Sequence, residues 1–162
     1  MADKNVPDND EPAQLFEMAS QYLKDLSFEH INSVSQIQDT QDQQQPSLDI
    51  NLNVDAKKIS EKSGGLYNVA IHIKIEAALG NPLFIMELIY CGDFFISGFP
   101  QEVMQMLLYV ECPHLLFPFV RNIIASTTAD GGFHALYLAP VNFAEMYHRQ
   151  QHSNGDATDT MQ

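Results

Sequence analysis

Alternation of apolar and polar residues is the clearest pattern in the first half of the sequence. Every second residue is apolar from Leu48 to Val54 and again from Tyr67 to Ile75, and the residues between them are mostly polar. A period of two predicts half-buried β-strands, and the β-branched residues of the second segment favour the same structure. The tight turn Gly80-Asn81-Pro82 then leads into a third predicted strand, Leu83–Cys91, which is largely apolar on both faces.

A fourth strand is predicted earlier in the chain, from Tyr22 to Ile31. The alternation divides its residues between two faces, with Leu23, Asp25, Ser27 and Glu29 on one and Lys24, Leu26 and Phe28 on the other. The two carboxylates are therefore expected on the same face of the sheet. The glutamine-rich segment Gln36–Gln45 follows, and its shortage of large apolar residues predicts a surface connection.

Helical spacing replaces the alternation after Gly98. Apolar residues three and four apart predict helices from Pro100 to Pro113, from the region of Pro118 to Gly131-Gly132, and from Asn142 to Gln150. Pro118 is expected in the opening turn of the second helix, because proline inside a helix removes a backbone hydrogen bond. Strands followed by helices predict an α+β fold, in which a four-stranded antiparallel meander has helices packed on one face.

Length and composition limit the number of domains and the classes of partner. A chain of 162 residues, 45% of them apolar, is enough for one compact domain. We place that domain at residues 14–150, between a mobile acidic tail at 1–13 and a mobile polar tail at 151–162. The formal net charge of -13 disfavours nucleic acid and anionic membranes as partners.

Two apolar stretches, Leu83–Phe99 and Val103–Ile124, require comparison with membrane spans. Acidic residues interrupt the first, and Glu111, Arg121 and two prolines interrupt the second, so both are expected in a core or an interface. The first twelve residues have no apolar core like that of a signal peptide. We therefore expect a cytoplasmic protein that does not insert into a membrane.

Side chains with catalytic or metal-binding chemistry are scattered through the sequence. It contains no glycine-rich phosphate loop and no HExxH or GxSxG motif. His148 and His152 are four residues apart, but no third ligand is apparent beside them. Cys91 and Cys112 form no CxxC pair and are expected to be reduced and buried. We expect a protein that is not an enzyme and that uses no cofactor and no metal.

Two surfaces are candidates for binding. The carboxylates of Asp25, Glu29 and Glu87 are expected on the sheet face away from the helices, where they form either a docking patch or an ordinary solvated face. The chain also has more large aromatic residues than a thin two-layer domain buries, namely Phe84, Tyr90, Phe94, Phe95, Phe99, Phe117 and Phe119. This surplus predicts contacts between copies of the chain, a groove for a client polypeptide, or both.

Several segments resemble the SecB family of bacterial export chaperones over nearly all of the residues expected to fold. The resemblance rests on KDLSFE at 24–29, YNVAIHIKIEAALG at 67–80, CPHLLFPFVRN at 112–122 and LAPVNF at 138–143. The occurrence of CPxxLFPF before LAPVNF is specific. The resemblance implies a four-stranded antiparallel sheet with helices on one face, assembling as a dimer of dimers.

The resemblance also implies a function based on binding alone. SecB-like proteins use no ATP, hold unfolded precursor proteins in apolar grooves and deliver them to the export motor SecA. On this basis the residues expected to bind SecA are Asp25, Glu29, Ile85 and Glu87. The expected partners are unfolded precursor proteins, SecA and other copies of the chain in a homotetramer.

Two further sets of residues follow from the resemblance. The client groove is expected to be lined by Ile50, Leu52, Tyr67, Ile71 and Phe84, with core packing as the favoured role of Ile50 and Ile71. The tetramer interface is expected at Met86, Leu88 and Tyr90. Two alternatives to an export chaperone stay open: a SecB-like chaperone dedicated to one client such as an antitoxin, and an enzyme or small-ligand carrier whose aromatic groove holds one compact molecule.

Overall fold

The computed structural model describes residues 12–37 and 45–155, which form one sheet and a layer of helices. The strands are β1 (Leu15–His30), β2 (Ser47–Ser60), β3 (Leu66–Leu79) and β4 (Asn81–Ser97). The helices are the short α1 (Val34–Ile37), α2 (Gln101–Met106), α3 (Cys112–Asp130) and α4 (Phe143–Gly155), with a 3-10 turn at Lys62–Gly64 and a π-helical turn at Leu107–Glu111. The predicted α+β class is confirmed. Most of the predicted tails and of the glutamine-rich connection lie outside the described residues, and the dimer of dimers stays a prediction.

The strand order differs from the predicted meander. All pairs are antiparallel, and the order across the sheet is β1-β4-β3-β2. Only β2, β3 and β4 form a meander, because β1 pairs with β4 and lies at the opposite edge from β2. Directly after β1, the N–H of Ile31 donates to the carbonyl of Leu83 at the start of β4 (2.8 Å).

The sheet has one face covered by helices and one face open to solvent. On the covered face, Ile71, Ile73 and Ile75 of β3 lie opposite Tyr90, Leu88 and Met86 of β4, and at most 6% of each is exposed. On the open face, the alternate residues Lys74, Glu76 and Glu87 are exposed. The alternation of β3 thus has the burial that it predicted, whereas that of β2 has it at Leu52 and Val54 and not at Leu48 and Ile50, which are exposed.

A β-bulge in β1 changes the predicted division of its residues. The register against β4 shifts between Leu23 and Asp25, so that Leu23 pairs with Tyr90 on the covered face. The prediction that Leu23 shares a face with Asp25 is therefore wrong, whereas Asp25 and Glu29 lie on the open face as predicted. One extra residue reverses the alternation beyond it, and the sequence around Lys24 has no glycine or proline to mark the bulge.

Residues 101–130 are helical throughout, because the π-helical turn joins α2 to α3. The predicted break at Pro113 and the predicted position of Pro118 in an opening turn are both wrong, since Pro118 lies inside α3. The N–H of Cys112 donates to the carbonyl of Leu107, five residues earlier. This wider turn lets the helix continue through a proline that has no N–H to donate.

This long helix is the one element of the described residues with the length and composition of a membrane span. It packs on the sheet, with Leu116, Val120 and Ile124 fully buried. The helix approaches β4 closely at Gly92, where an added Cβ would lie 2.8 Å from Cδ2 of Leu116. Burial against the sheet accounts for part of the apolar character of the helix, while its Leu115 and Phe119 are exposed.

The C-terminus of α3 follows the predicted Gly131-Gly132 signal. The N–H of Gly132 donates to the carbonyl of Ala129 and that of Phe133 to the carbonyl of Thr128, both at 3.1 Å. These two bonds form a Schellman motif, which requires the left-handed φ of 90° found at Gly132. The predicted end of this helix is confirmed.

The last helix, α4, begins as predicted and ends later. The side-chain oxygen of Asn142 accepts the N–H of Glu145 (3.1 Å), as one half of the predicted capping box requires. The helix continues to Gly155, five residues beyond the predicted end at Gln150. An ion pair between Glu145 and Arg149 supports this helix, because residues four apart share one helical face.

Candidate functional site

The open face of the sheet brings the predicted SecA-binding residues together. Ser27 of β1 lies opposite Glu87 of β4, so Asp25 and Glu29, two positions to either side, are diagonal neighbours of Glu87. Such positions are about 7–8 Å apart. Ile85 lies opposite Glu29 and is half-buried, whereas the three carboxylates are exposed.

Two further carboxylates belong to the same surface, and sequence reasoning missed them. Glu76 of β3 lies opposite Ile85, and Asp49 of β2 lies opposite Glu76, so a row from Glu29 to Asp49 crosses all four strands. Both residues were on the polar side of a predicted strand, and only the strand order was needed to find them. We call Asp25, Glu29, Asp49, Glu76 and Glu87 the acidic patch.

One lysine partly neutralises the acidic patch. The Nζ atom of Lys74 lies 3.2 Å from a carboxylate oxygen of Glu76 and 3.7 Å from one of Glu87. The hydrogen bond to Glu76, together with the negative charges of Glu76 and Glu87, raises the pKa of the lysine. Lys74 therefore stays charged at neutral pH. All three side chains are about half exposed, so solvent and salt weaken these ion pairs.

A shallow hollow of about 190 Å³ lies beside this lysine on the open face. Its lining combines Ile73, Leu88 and Ile89 with six polar residues, namely Asp25, Asn51, Asn53, His72, Lys74 and Glu87. Amide, imidazole and carboxylate groups provide both donors and acceptors. The hollow therefore offers hydrogen-bond partners to a polar or charged side chain of a binding partner.

The far end of the open face has a different, internally satisfied polar cluster. The side-chain amide of Asn68 donates to Oδ1 of Asp93 (2.8 Å) and to the hydroxyl of Tyr22 (3.0 Å), and the hydroxyl of Ser20 donates to Oδ2 of Asp93 (3.0 Å). Burial, followed by the charge of Asp93, raises the pKa of Tyr22. Asp93 thus has internal partners and is not counted in the acidic patch.

An apolar groove of about 380 Å³ lies at one end of the covered face. Its apolar lining includes Val34, Pro46, Leu48, Phe84, Phe133 and Leu136. The rings of Phe84 and Phe133 are 4.9 Å apart and form its aromatic wall. Leu48 and its strand neighbour Ile50, both 43% exposed, extend the apolar surface along the edge strand β2. We call this surface the apolar groove.

The five residues predicted to line a client groove do not form one site. Phe84 lines the apolar groove, and Ile50 is exposed beside it, because the helices leave this end of β2 uncovered. The favoured core role is therefore wrong for Ile50 and confirmed for Ile71, which is fully buried. Leu52 is half-buried against the core. Tyr67 lies opposite Phe94, which is ten residues along β4 from Phe84, so Tyr67 is about 33 Å from the apolar groove.

Among the residues of the apolar groove that sequence reasoning missed, Leu48 and Phe133 were missed for different reasons. Leu48 begins the same alternation as Ile50, and that pattern was sufficient to include it. Phe133 follows the end of α3, and no periodic pattern indicates which way its side chain points. Its position depends on the turn at Gly131-Gly132, which directs the chain back over the sheet.

The residues assigned to a tetramer interface are part of the core of a single chain. Met86, Leu88 and Tyr90 are exposed by 0%, 1% and 6% respectively. Tyr90 stacks on Phe119 of α3 with ring centres 6.1 Å apart, and Phe119 itself is 45% exposed. Any effect of these residues on assembly has to be transmitted through the side chains that cover them, and the assignment stays a prediction. Exposed apolar side chains nearby are Leu23, Leu26 and Phe119.

Reactive side chains in the described residues are buried or dispersed. Cys91 and Cys112 are both buried and unpaired, and burial raises the pKa of both thiols, that of Cys112 to about 12. Within residues 12–37 and 45–155, no three His, Cys, Asp or Glu side chains are placed to hold a metal ion.

Two of the segments that support the family resemblance contact each other. The rings of Phe117 and Phe143 meet edge to face at 5.8 Å, and Nε of Arg121 donates to the carbonyl of Leu138 (2.8 Å). Leu138 and Phe143 are both buried. The segments 112–122 and 138–143 thus form one packing unit that holds the last helix on the long one.

Comparison with known proteins agrees with this architecture. Residues 9–154 match the family described as preprotein translocase subunit SecB. The protein-export protein SecB of Bartonella bacilliformis is 39% identical over 93% of this chain and 92% of its own, and that of Bradyrhizobium diazoefficiens is 41% identical over 94% of each. A SecB-like chaperone of Mycobacterium tuberculosis, solved with an antitoxin peptide, has a TM-score of 0.63 at 10% identity, covering 78% of this chain and 91% of its own, and shows likeness of fold alone. The chain belongs to the SecB family of protein-export chaperones.

Proposed function

We propose that this protein is an ATP-independent holding chaperone that binds unfolded precursor proteins in the cytoplasm and delivers them to SecA. One observation supports the proposal above all: the acidic patch and the apolar groove lie on opposite faces of one sheet. A client on the covered face leaves the open face available. Capture and delivery can therefore occur on the same molecule at the same time.

The apolar groove has the properties that an unfolded client needs. Its wall of apolar and aromatic side chains favours any extended segment with exposed apolar residues, whatever its sequence. Native proteins have buried such segments, so slowly folding precursors are bound and rapidly folded proteins escape. Selection of clients is then kinetic and requires no nucleotide.

Charge substitutions in β2 test the client site. Leu48→Asp with Ile50→Asp places two carboxylates beside the apolar groove, and we expect at least about a tenfold loss in the ability to slow refolding of a denatured precursor without nucleotide. The matched control is Asn51→Asp with Asn53→Asp, which adds the same charge on the open face of the same strand. Equal refolding rates with the groove variant and with wild type would place the client elsewhere.

The acidic patch is the proposed docking surface for SecA. Its five carboxylates outnumber the one lysine among them, so the surface attracts a basic partner and repels an acidic one. Half-exposed carboxylates interact strongly only at low ionic strength. Association with SecA is therefore expected to weaken steeply as salt is added.

Charge reversal tests the docking surface. Asp25→Lys with Glu87→Lys is expected to reduce the affinity for SecA by at least about tenfold at 0.1 M salt. The control Glu61→Lys with Glu102→Lys changes the net charge equally, in the turn after β2 and at the start of α2. If the two double variants lose affinity equally, net charge alone is responsible. If neither loses affinity, the open face is not the docking surface.

Assembly as a homotetramer, a dimer of dimers, is part of the proposal. Leu23, Leu26 and Phe119 leave apolar surface exposed near the edge strand β1, which a second copy of the chain could cover. Several apolar grooves on one assembly would bind different segments of the same client and raise the overall affinity. Native mass measurement with and without an unfolded client tests this part, and a monomer under both conditions would contradict it.

A chaperone dedicated to one client is the second candidate. The Mycobacterium tuberculosis neighbour was solved with an antitoxin peptide, but its likeness concerns the fold alone. Relatives near 40% identity are named protein-export proteins, and this favours a broad set of precursors. Binding to several unrelated denatured precursors supports the export function, whereas binding to a single one supports the dedicated chaperone.

A further inference from the structure

We propose that Lys74 competes with the partner for the acidic patch. In the free protein its ammonium group pairs with both Glu76 and Glu87, and it moves to Glu76 alone when a basic side chain of the partner binds Glu87. The inference rests on the proposed docking of SecA to the open face. It assigns to Lys74 and Glu76 a role in setting the affinity of that contact, in addition to the carboxylates that receive the partner.

Lys74 lies between two carboxylates at unequal distances from its ammonium group. Lys74 lies directly opposite Glu87 in the antiparallel register, and Glu76 is two positions further along the same strand face. The ammonium is nearer to Glu76 (3.2 Å) than to Glu87 (3.7 Å). Glu76 is thus the stronger partner, and Glu87 is the carboxylate that a competing cation displaces most easily.

The lysine can move at little cost. About half of its side chain is exposed, and lysine has a flexible four-carbon stem with three rotatable N–H donors. Moving from a shared position to Glu76 keeps the ammonium paired and hydrated. Docking therefore exchanges one cation for another at Glu87, instead of adding a cation to an empty carboxylate.

Removal of the lysine charge consequently strengthens docking. Lys74→Gln frees Glu87 and also removes a positive charge that repels the incoming basic side chain. Exposed ion pairs of this kind are weak, so we expect the affinity for SecA at 0.1 M salt to rise about two- to fivefold. The salt dependence should become steeper as well, because one more carboxylate is left for the partner.

Glu76 has the opposite effect through the lysine. In Glu76→Gln the ammonium has only Glu87 to pair with and competes more strongly, so docking weakens. Most of this loss should disappear when Lys74→Gln is also present. A double-mutant cycle between the two positions separates this coupling from the simple loss of one negative charge.

The test uses full-length protein, purified SecA and, as a second probe, a synthetic arginine-rich peptide. Lys74→Arg keeps the charge at the same position and is expected to give no gain in affinity. The distant control is Lys57→Gln, which removes one positive charge from the same face. Lys57 lies opposite Asn68, and Asn68 is six residues along β3 from Lys74, or about 20 Å. That distance exceeds the screening length at 0.1 M salt, so this control is also expected to give no gain.

The outcomes are distinct. The inference holds if Lys74→Gln alone tightens binding and if most of the gain is lost in a Glu87→Gln background. It is overturned if Lys74→Gln gives no gain, if Lys57→Gln gives the same gain, or if the gain is undiminished without Glu87. If wild type does not bind SecA, the docking proposal itself fails, and the arginine-rich peptide decides the competition at Glu87 by the same comparison of variants.

Discussion

Thr128 connects α3 to the segment that forms one wall of the apolar groove. It is fully buried, and its hydroxyl donates to the carbonyl of Ile124 (2.8 Å) and accepts the N–H of Leu136 (2.9 Å). Leu136 lines the apolar groove. Thr128→Val keeps the shape of the side chain but leaves the N–H of Leu136 without this acceptor, so it tests whether one hydrogen bond holds the wall in place.

The expected loss of stability in Thr128→Val follows from the two hydrogen bonds of the Thr128 hydroxyl. The carbonyl of Ile124 lies within a helix and keeps its backbone partner, so loss of the hydroxyl costs little there. The N–H of Leu136 loses its acceptor, which costs about 1–3 kcal/mol if water does not replace it. We therefore expect the free energy of unfolding to fall by about 1–2 kcal/mol and the client affinity to fall with it.

Hydrogen exchange at the amide of Leu136 is the direct assay. Exchange at this amide should accelerate in Thr128→Val far more than exchange in the strands, because local opening of the wall needs less energy than global unfolding. Thr128→Ser keeps the hydroxyl and should retain most of the protection, although loss of the methyl group costs about 1 kcal/mol of global stability. Equal protection of Leu136 in the Val variant and in wild type would refute the reasoning.

Three further predictions concern packing and reactivity. Gly92→Val should destabilise the fold by about 1–3 kcal/mol in denaturant titrations, since its Cβ would lie 2.7 Å from the ring of Phe94 and 2.8 Å from Leu116; unchanged stability would contradict the close packing of α3. Phe143→Ala should cost about 3–5 kcal/mol and expose α4 to limited proteolysis, and a protease-resistant variant would refute that anchor. Cys112, whose thiol pKa is raised to about 12 by burial, should resist iodoacetamide at pH 8 until the protein is unfolded, which intact mass measurement detects; rapid labelling of the native protein would be the contrary result.

The parts of the fold that depend on local periodicity were predictable from the sequence. Alternation located β2 and β3, the Gly80-Asn81-Pro82 turn located the start of β4, and the Gly131-Gly132 signal located the end of α3, because side-chain burial and turn geometry are properties of a few neighbouring residues. The bulge near Lys24 and the π-helical turn before Pro113 were not predictable in this way. Each is a small backbone adjustment that tertiary packing stabilises and that no single residue type requires.

The candidate site, too, was predictable only where its residues follow a local periodic pattern. Alternation placed Asp25, Glu29 and Glu87 on one face, but the strand order was needed to add Glu76 and Asp49 and to put Lys74 among them. The apolar groove combines segments far apart in the sequence, from α1, the start of β2, the start of β4 and the chain after α3. Such a surface exists only after the chain has folded, so periodic patterns identify some of its residues and not their neighbours.

Simultaneous binding tests most directly whether the two faces of the sheet have separate functions. The affinity for SecA would be measured with the protein empty and again with it saturated by an unfolded precursor, at the same salt concentration. With the client on the covered face and SecA on the open face, we predict a ternary complex and an affinity for SecA at least as high as that of the empty protein. If client and SecA exclude each other, the assignment of the two partners to opposite faces is contradicted.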